Sequence, residues 1–284
     1  MYRGESFRPD YKRVTSIRSV FQCPCLALTA TATGRVFSDV RNALQLHNCR
    51  VKAFPPDRAN IYIELARRNS LSPDRDLAWI VSGLRAAKQS FKKTIVYVRS
   101  INSVTELYAW LFGCLEEDVY VATHDGKQSM VAMYHAHLSD DRQKMTMTEF
   151  KKPDSVIRVV VSTIAFGMGV EVPDIHQVVH WGRVSSLMSY WQEVGRAGRD
   201  GDPARAIWYC TSSAAGNESV LQTLYSHTVC LRMTILGGFV IPDICLDRFE
   251  ELRSRQACSQ HCQQCVCAKC TCCSYCRDQC PCNN

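Results

Sequence analysis

Runs of β-branched residues recur along this chain between stretches of helical character, and nothing else in it restricts the fold as much. Apolar runs at 94–98 (TIVYV), 119–123 (VYVAT), 156–163 (VIRVVVST), 176–181 (HQVVHW) and 204–210 (ARAIWYC) alternate with helix-like segments. Strands this continuously apolar need cover on both faces, and helical crossovers supply it, so the pattern predicts an α/β fold with a parallel sheet flanked by helices. Helices are expected over 72–87, with Ser72 as N-cap and Pro73 at the first helical position, over 103–115, and over 139–150 with its acidic first turn. Residues 55–65 read as a linker entering a strand, and 27–46 as a short strand followed by an amphipathic helix. Residues 218–236 read as one helix stopped by Gly237-Gly238, with an irregular, cysteine-loaded tail beyond.

Composition matters mainly for what it excludes. No apolar run approaches the roughly 18 residues of a membrane span, so no membrane association is expected. The first residues, MYRGESFRPDYKR, lack the apolar stretch of a secretory signal. The net charge of +7 is compatible with a nucleic-acid partner but does not argue for one alone. Of 17 cysteines, ten fall between Cys258 and Cys282. A disulfide scaffold would be small and secreted, so this tail reads as thiolates gathered for metal, or as a segment with no designed role.

Phosphate chemistry enters through SYWQEVGRAGRDG (189–201), where Arg196 and Arg199 lie among Gly195, Gly198 and Gly201. Glycine lets backbone come close to a ligand, and guanidinium groups suit phosphate. Nothing in the sequence can hold Mg²⁺ and a β/γ-phosphate together in the usual way. Gly167 and Gly169 follow a strand, but Val172 stands where a dinucleotide fingerprint needs its third glycine. Gly126-Lys127, the sole Gly-Lys pair, lacks the first glycine of a P-loop, and no Asp-Glu pair occurs. Arginines without a P-loop make sense as fingers that stabilise charge on a phosphate held by another lobe.

Six segments in order, FRPDY (7–11), ALTATAT (27–33), TIVYVRS (94–100), YHAHLSDDR (134–142), VVVSTIAFGMGVEVPD (159–174) and YWQEVGRAGRDG (190–201), closely resemble the RecQ family of superfamily 2 DNA helicases. The resemblance covers roughly residues 6–212. It implies a RecA-like sheet, helicase lobe two, over 55–213, a remnant of lobe one over 1–54, and a helical zinc-binding-like segment with a cysteine-rich tail over 214–284. It further implies that Gln192, Arg196 and Arg199 face ATP, the arginines as fingers, and that Gly167, Gly169 and Glu171 border the nucleotide. Phe7 and Arg8 would be the tail of the aromatic-rich loop that couples DNA contact to hydrolysis, and Arg99, Ser100 and Thr163 would lie along the DNA path. ATP and Mg²⁺ would be held mainly by a first RecA-like lobe, in cis or in trans, and the partner would be single-stranded or partly duplex DNA in the nucleus. Glu171-Val172 replaces the family's usual Asp-Lys, and His137 stands where glycine is usual. The nucleotide pocket and Mg²⁺ carboxylate of lobe one are not matched by any segment.

The family follows lobe two with a four-cysteine zinc site whose first ligand lies on a helix, and Cys230 occupies that place. Cys230, Cys258, Cys262 and Cys265 are the preferred set, since C-x₂-C spacing lets one turn supply two tetrahedral ligands. A metallothionein-like cluster of several soft ions, or a low-complexity terminus with adventitious affinity, remain open beside it. The functional readings are likewise three: the C-terminal lobe of an ATP-driven 3′-to-5′ DNA helicase, a non-catalytic module for single-stranded DNA and zinc, or an inert fragment.

Overall fold

The computed structural model describes residues 16, 20, 21, 24–29, 31–54, 56–124, 126–167, 171–215, 218–241 and 270–280. They belong to two compact units, one of Met1–Asp57 with Leu236–Arg255, the other of Arg58–Ile235 with Gln256–Asn284.

In the first unit, helix α1 (Gly34–Ala43) starts at Thr33, whose hydroxyl accepts from the Val36 amide at 3.3 Å. The strand expected just before it does not form: residues 24–29 and 31–33 have no strand partner among the described residues. A lone extended segment has no ladder to satisfy its amides, so apolar composition alone does not make it a strand.

The larger unit is built on a six-stranded, wholly parallel sheet in the order β1-β8-β7-β2-β6-β5. Its strands are β1 (Ile61–Arg67), β2 (Lys93–Tyr97), β5 (Val131–Tyr134), β6 (Val159–Ser162), β7 (Ile175–Trp181) and β8 (Ala204–Cys210). Burial follows position in the sheet. Every residue of β2 and β6 is buried, whereas edge strand β1 alternates between covered and half-exposed residues. The former is the signature of a strand packed on both faces, the latter of one with a wetter side. The core between sheet and helices includes Ile80, Leu84, Leu107, Leu111, Val161 and Ile207, each contributing about 1.5–3 kcal/mol by burial.

The expected helix over 72–87 is two: α2 (Pro73–Asp76) and α3 (Ala78–Ala87), parted at Leu77. The break follows from Asp76, whose buried carboxylate turns inward to accept from Arg68 Nε at 2.7 Å, the Ser72 amide at 3.2 Å and Trp181 Nε1 at 3.3 Å. Ser72 therefore caps through its backbone and not its hydroxyl. Helix α4 (Ile101–Leu115) and helix α5 (Asp140–Lys151) lie as the spacing predicts. The run at 119–123 leaves the main sheet. As β3 (Tyr120–Thr123) it pairs antiparallel with β4 (Gly126–Ser129), and the edge of the parallel sheet is taken by β5, which the sequence pattern did not disclose. Helix α6 (Leu187–Val194) begins at Ser186, whose side chain accepts from the Ser189 amide. The single helix expected over 218–236 is also divided, into α7 (Ser219–Ser226) and α8 (Leu231–Gly237), with His227 at φ +53 closing the first. Helix α9 (Ser274–Asp278) completes the described elements.

The exposed ladder of β1 is covered by the cysteine-bearing segment. The Ile63 amide donates to the Cys272 carbonyl and the Leu65 amide to Ser274 Oγ, both at 3.3 Å, and Ile63 pairs with Cys273 in a parallel bridge. An uncovered edge is a template for aggregation, so this strap has a protective consequence.

Candidate phosphate-facing turn and thiolate cluster

Helix α6 carries Gln192, exposed on its surface, and runs out into the turn 195–202. The turn closes on itself through glycines. Gly198 has φ +59, and a β-carbon there would meet Asn60 Nδ2 at 2.4 Å and the Asp202 carbonyl at 2.9 Å. Only glycine fits a left-handed position this crowded. The turn is then clamped from the start of β1. Arg58 donates to the carbonyls of Gly195 at 3.1 Å, Ala197 at 3.0 Å and Gly198 at 2.7 Å, while Asn60 Nδ2 donates to Gly198 at 2.8 Å and Asp202 at 2.9 Å. A planar guanidinium bridging three carbonyls caps the end of α6 with charge-assisted bonds. Burial lowers the Arg58 pKa, as does the neighbouring Arg199 cation, against an upward pull from Asp200.

The two arginines sit differently. Arg199 is about one-third exposed and lies 4.0 Å from the Glu171 carboxylate, which is itself open to solvent. The structure thus brings Glu171 and Arg199 together. Arg196 turns inward, where its Nε is buried and its charge lies close to the buried Tyr97 hydroxyl. Burial pushes the pKa of that hydroxyl up, and the Arg196 charge pulls against it. Tyr97 stacks on His180 at 5.3 Å, and His180 Nε2 meets the buried Glu193 carboxylate at 2.9 Å. Arg58, Asn60, Tyr97, His180 and Glu193 were not singled out from sequence. Glu193, three residues before Arg196, had a helical-spacing signal; Arg58 and Asn60, some 140 residues away, had none.

The residues expected along the DNA path occupy a different place. Arg99 and Ser100 follow the carboxyl end of β2, and Thr163 that of its neighbour β6, whereas the turn at 195–202 bonds to the amino end of β7 through Gly198 N–H to Ile175 O, 2.7 Å. Arg99 is exposed, Ser100 uses its hydroxyl to cap α4 by accepting from Ser103 N–H at 3.0 Å, and Thr163 is 9% exposed. Gly167 ends a short 3₁₀ turn (Ile164–Gly167) just after Thr163. Phe7, Arg8 and Gly169 lie outside the described residues.

The metal-ligand candidates regroup. Cys230 stands at the start of α8 with Cys272, Cys273 and Cys276, all four sulfurs within 4.8 Å of one another and Cys230 Sγ 3.7 Å from Cys272 Sγ. A tetrahedral zinc with bonds of about 2.3 Å puts sulfurs about 3.8 Å apart, so the donor set and spacing fit that ion. Hydrogen bonds among the four thiols hold Cys273 below the ordinary range and push Cys272 and Cys276 above it, so one negative charge is shared across the cluster. Cys258, Cys262 and Cys265 lie outside the described residues. Arg232, whose guanidinium donates to the Arg58 carbonyl at 2.9 Å and the Cys272 carbonyl at 3.3 Å, links this cluster to the strand that carries the turn's clamp.

The model of the helicase conserved C-terminal domain matches residues 76–201. The chain is 32% identical over 210 residues to the ATP-dependent helicase wrn-1 of Caenorhabditis elegans, covering 72% of this chain and 18% of that protein. It is 35% identical over 210 residues to the ATP-dependent DNA helicase Q5 of Rattus norvegicus, covering 71% and 20%. It is 29% identical over 274 residues to the ATP-dependent DNA helicase Q1 of Pongo abelii, covering 92% and 39%. The chain therefore spans well under half the length of these relatives. In fold it is similar to the DEAD-box helicase Mss116 bound to ssRNA and UDP-BeF, with TM-score 0.58, 16% identity, and coverage of 78% of this chain and 43% of that one. The sheet is accordingly the RecA-like one of a helicase C-terminal lobe.

Proposed function

From the premise that the chain belongs to the RecQ family of helicases and carries their conserved C-terminal domain, we propose that it acts as the second motor lobe of an ATP-dependent 3′-to-5′ DNA helicase. The observation that carries this reading is the turn at 195–202. Arg58 and Asn60 hold its backbone while the Arg199 side chain stays about one-third exposed beside Glu171. A cation on a pre-formed turn stabilises developing phosphoryl charge without reorganising at the moment of reaction. In this reading Arg199 reaches the γ-phosphate of an ATP whose Mg²⁺ and phosphates a first RecA-like lobe holds, and Arg196 adds its charge from behind, near the Tyr97 hydroxyl. Gln192, Gly167, Gly169 and Glu171 border the nucleotide. Arg99, Ser100 and Thr163, at the carboxyl ends of adjacent strands, face the DNA backbone, which gives binding that weakens with salt. Zinc bound by Cys230, Cys272, Cys273 and Cys276 would cross-link α8 to the strap over β1, a structural role. The nucleus is the compartment where such a motor would meet its DNA.

Hydrolysis of ATP with single-stranded DNA and Mg²⁺ tests the reading, using the chain alone, the chain fused after a helicase first lobe, and the fusion carrying Arg199→Ala. The expected result is no turnover alone, turnover in the fusion, and a loss of about 10³-fold or more in the variant. Undiminished turnover in the variant would remove Arg199 from the mechanism. Salt-sensitive DNA binding without turnover in the fusion would leave only the binding-module reading.

A further inference from the structure

On the far side of the same turn, three further side chains converge. His176 lies at the start of β7, and Asp200 and Asp202 lie in the turn. His176 Nε2 is 3.3 Å from Asp200 Oδ2 and 3.7 Å from Asp202 Oδ2, and the three ligand atoms all lie within 4.8 Å of one another. The imidazole is oriented from behind. Its Nδ1 is 2.9 Å from the Asp174 carbonyl, an oxygen that can only accept, so Nδ1 carries a hydrogen and Nε2 faces the carboxylates, as the lone pair of a neutral ring or the N–H of an imidazolium. Asp174 is itself anchored by the buried Lys93 ammonium at 2.8 Å. The Nε2 atom is buried and, beside these two close carboxylates, makes no well-aligned hydrogen bond among the described residues.

Two carboxylates and an imidazole nitrogen this close call for positive charge between them, either a proton on Nε2 or a metal ion. We infer that His176, Asp200 and Asp202 form a site for a divalent cation of the kind that accepts mixed imidazole and carboxylate ligands, tying the turn of Arg196 and Arg199 to the start of β7. The donor set is harder than the four-thiolate cluster and suits Mn²⁺ or Zn²⁺. An imidazole whose other nitrogen donates to a backbone carbonyl is the usual way a metal-binding histidine is aimed. Ligand separations of 3.3 and 3.7 Å are near the spacing of neighbouring ligands about 2.1 Å from one ion. Arg58 does not occupy the site, because its guanidinium is engaged with the carbonyls of Gly195, Ala197 and Gly198; it offsets part of the negative charge. Asp200 holds its place through Oδ1, which accepts from the Asp202 amide at 3.1 Å.

The test uses the full chain alone, loaded with zinc at its cysteines, so its outcome is independent of whether the motor reading holds. Mn²⁺, which thiolates bind poorly, is titrated and followed by electron paramagnetic resonance, with electron spin-echo modulation reporting directly bound nitrogen. The expected result is one Mn²⁺ with nitrogen coupling. His176→Gln should abolish the coupling and weaken binding at least about tenfold, and Asp202→Asn should weaken it comparably. Asp202 is 70% exposed, so that variant leaves the fold intact and its result stands even if His176→Gln unfolds. Absence of nitrogen coupling, binding that Asp202→Asn leaves unchanged, or no binding below about 1 mM would each overturn the assignment.

Discussion

Arg58 donates to the carbonyl of Gly198 at 2.7 Å across 140 residues of chain. That bond joins the start of the first sheet strand to the turn that carries Arg196 and Arg199. It makes the geometry of the turn a property of the whole sheet, since β1 and the segment after the turn, β8, are themselves paired in register from Ile61–Ala204 to Arg67–Cys210.

Removing this clamp should therefore cost more than a surface arginine usually does. Arg58→Ala is expected to lower unfolding free energy by about 2–3 kcal/mol, with Arg58→Lys recovering less than half, because an ammonium cannot span three carbonyls. Urea unfolding followed by tryptophan fluorescence measures both. A loss within about 0.5 kcal/mol, the range of ordinary surface substitutions, would mean the three bonds are not formed in solution.

Gly198→Ala should destabilise by about 2–3 kcal/mol, combining a left-handed backbone with a collision. Part of the collision is with the Asp202 carbonyl, which is backbone, so adding Asn60→Gly should not restore stability. Thermal melts of the single and double variants decide this. Recovery in the double variant would assign the whole cost to the Asn60 side chain.

Acid should expose Asp76. Its burial alone would raise the carboxyl pKa, but bonds from Arg68, the Ser72 amide and Trp181 prevail and hold it below the ordinary value of 3.8. A carboxylate with a lowered folded-state pKa contributes stability that is complete above its unfolded pKa and is lost as pH falls through the folded one. The contribution is therefore present at pH 6 and declines below about pH 4. Asp76→Asn should lose stability at pH 6 and show a shallower decline between pH 4 and 2 than the parent. Parallel pH profiles for the two would remove Asp76 from the acid response.

Zinc release should separate the two cysteine sets. Cys230→Ser or Cys276→Ser is expected to abolish tight zinc binding measured with a colorimetric chelator, whereas Cys49→Ser, an exposed residue outside the cluster, should not. Triple replacement of Cys258, Cys262 and Cys265 should leave that site loaded. Metal loss should also raise light scattering on warming, because the strap at 272–274 then frees the β1 edge. Loss of zinc in the triple variant would return the site to the ligands expected from spacing.

Much of the architecture was legible because it rests on local pattern. Buried strands β2, β6 and β7 announce themselves by their Val and Ile residues, β8 by its apolar and aromatic ones, and α4 and α5 by spacing and caps. The errors share one cause. Residues 119–123 are apolar enough for the central sheet yet pair with β4, residues 27–29 and 31–33 are not assigned to a strand among the described residues, and the helices at 72–87 and 218–236 break at Leu77 and after Ser226. In each case a partner distant in sequence, or its absence, decides the outcome over propensity.

Function divides along the same line. The order of glycines and arginines from 195 to 201 was enough to single out this turn as a phosphate-facing candidate, because glycine permits a left-handed backbone and arginine alone presents a planar fork of donors. What the folded chain alone decided is which way each arginine points, that Arg58 and Asn60 grip the turn, that His176 meets Asp200 and Asp202, and that Cys230 gathers Cys272, Cys273 and Cys276. Those contacts depend on distances through space that linear spacing does not encode. They arise only once the parallel sheet has brought the starts of β1, β7 and β8 side by side.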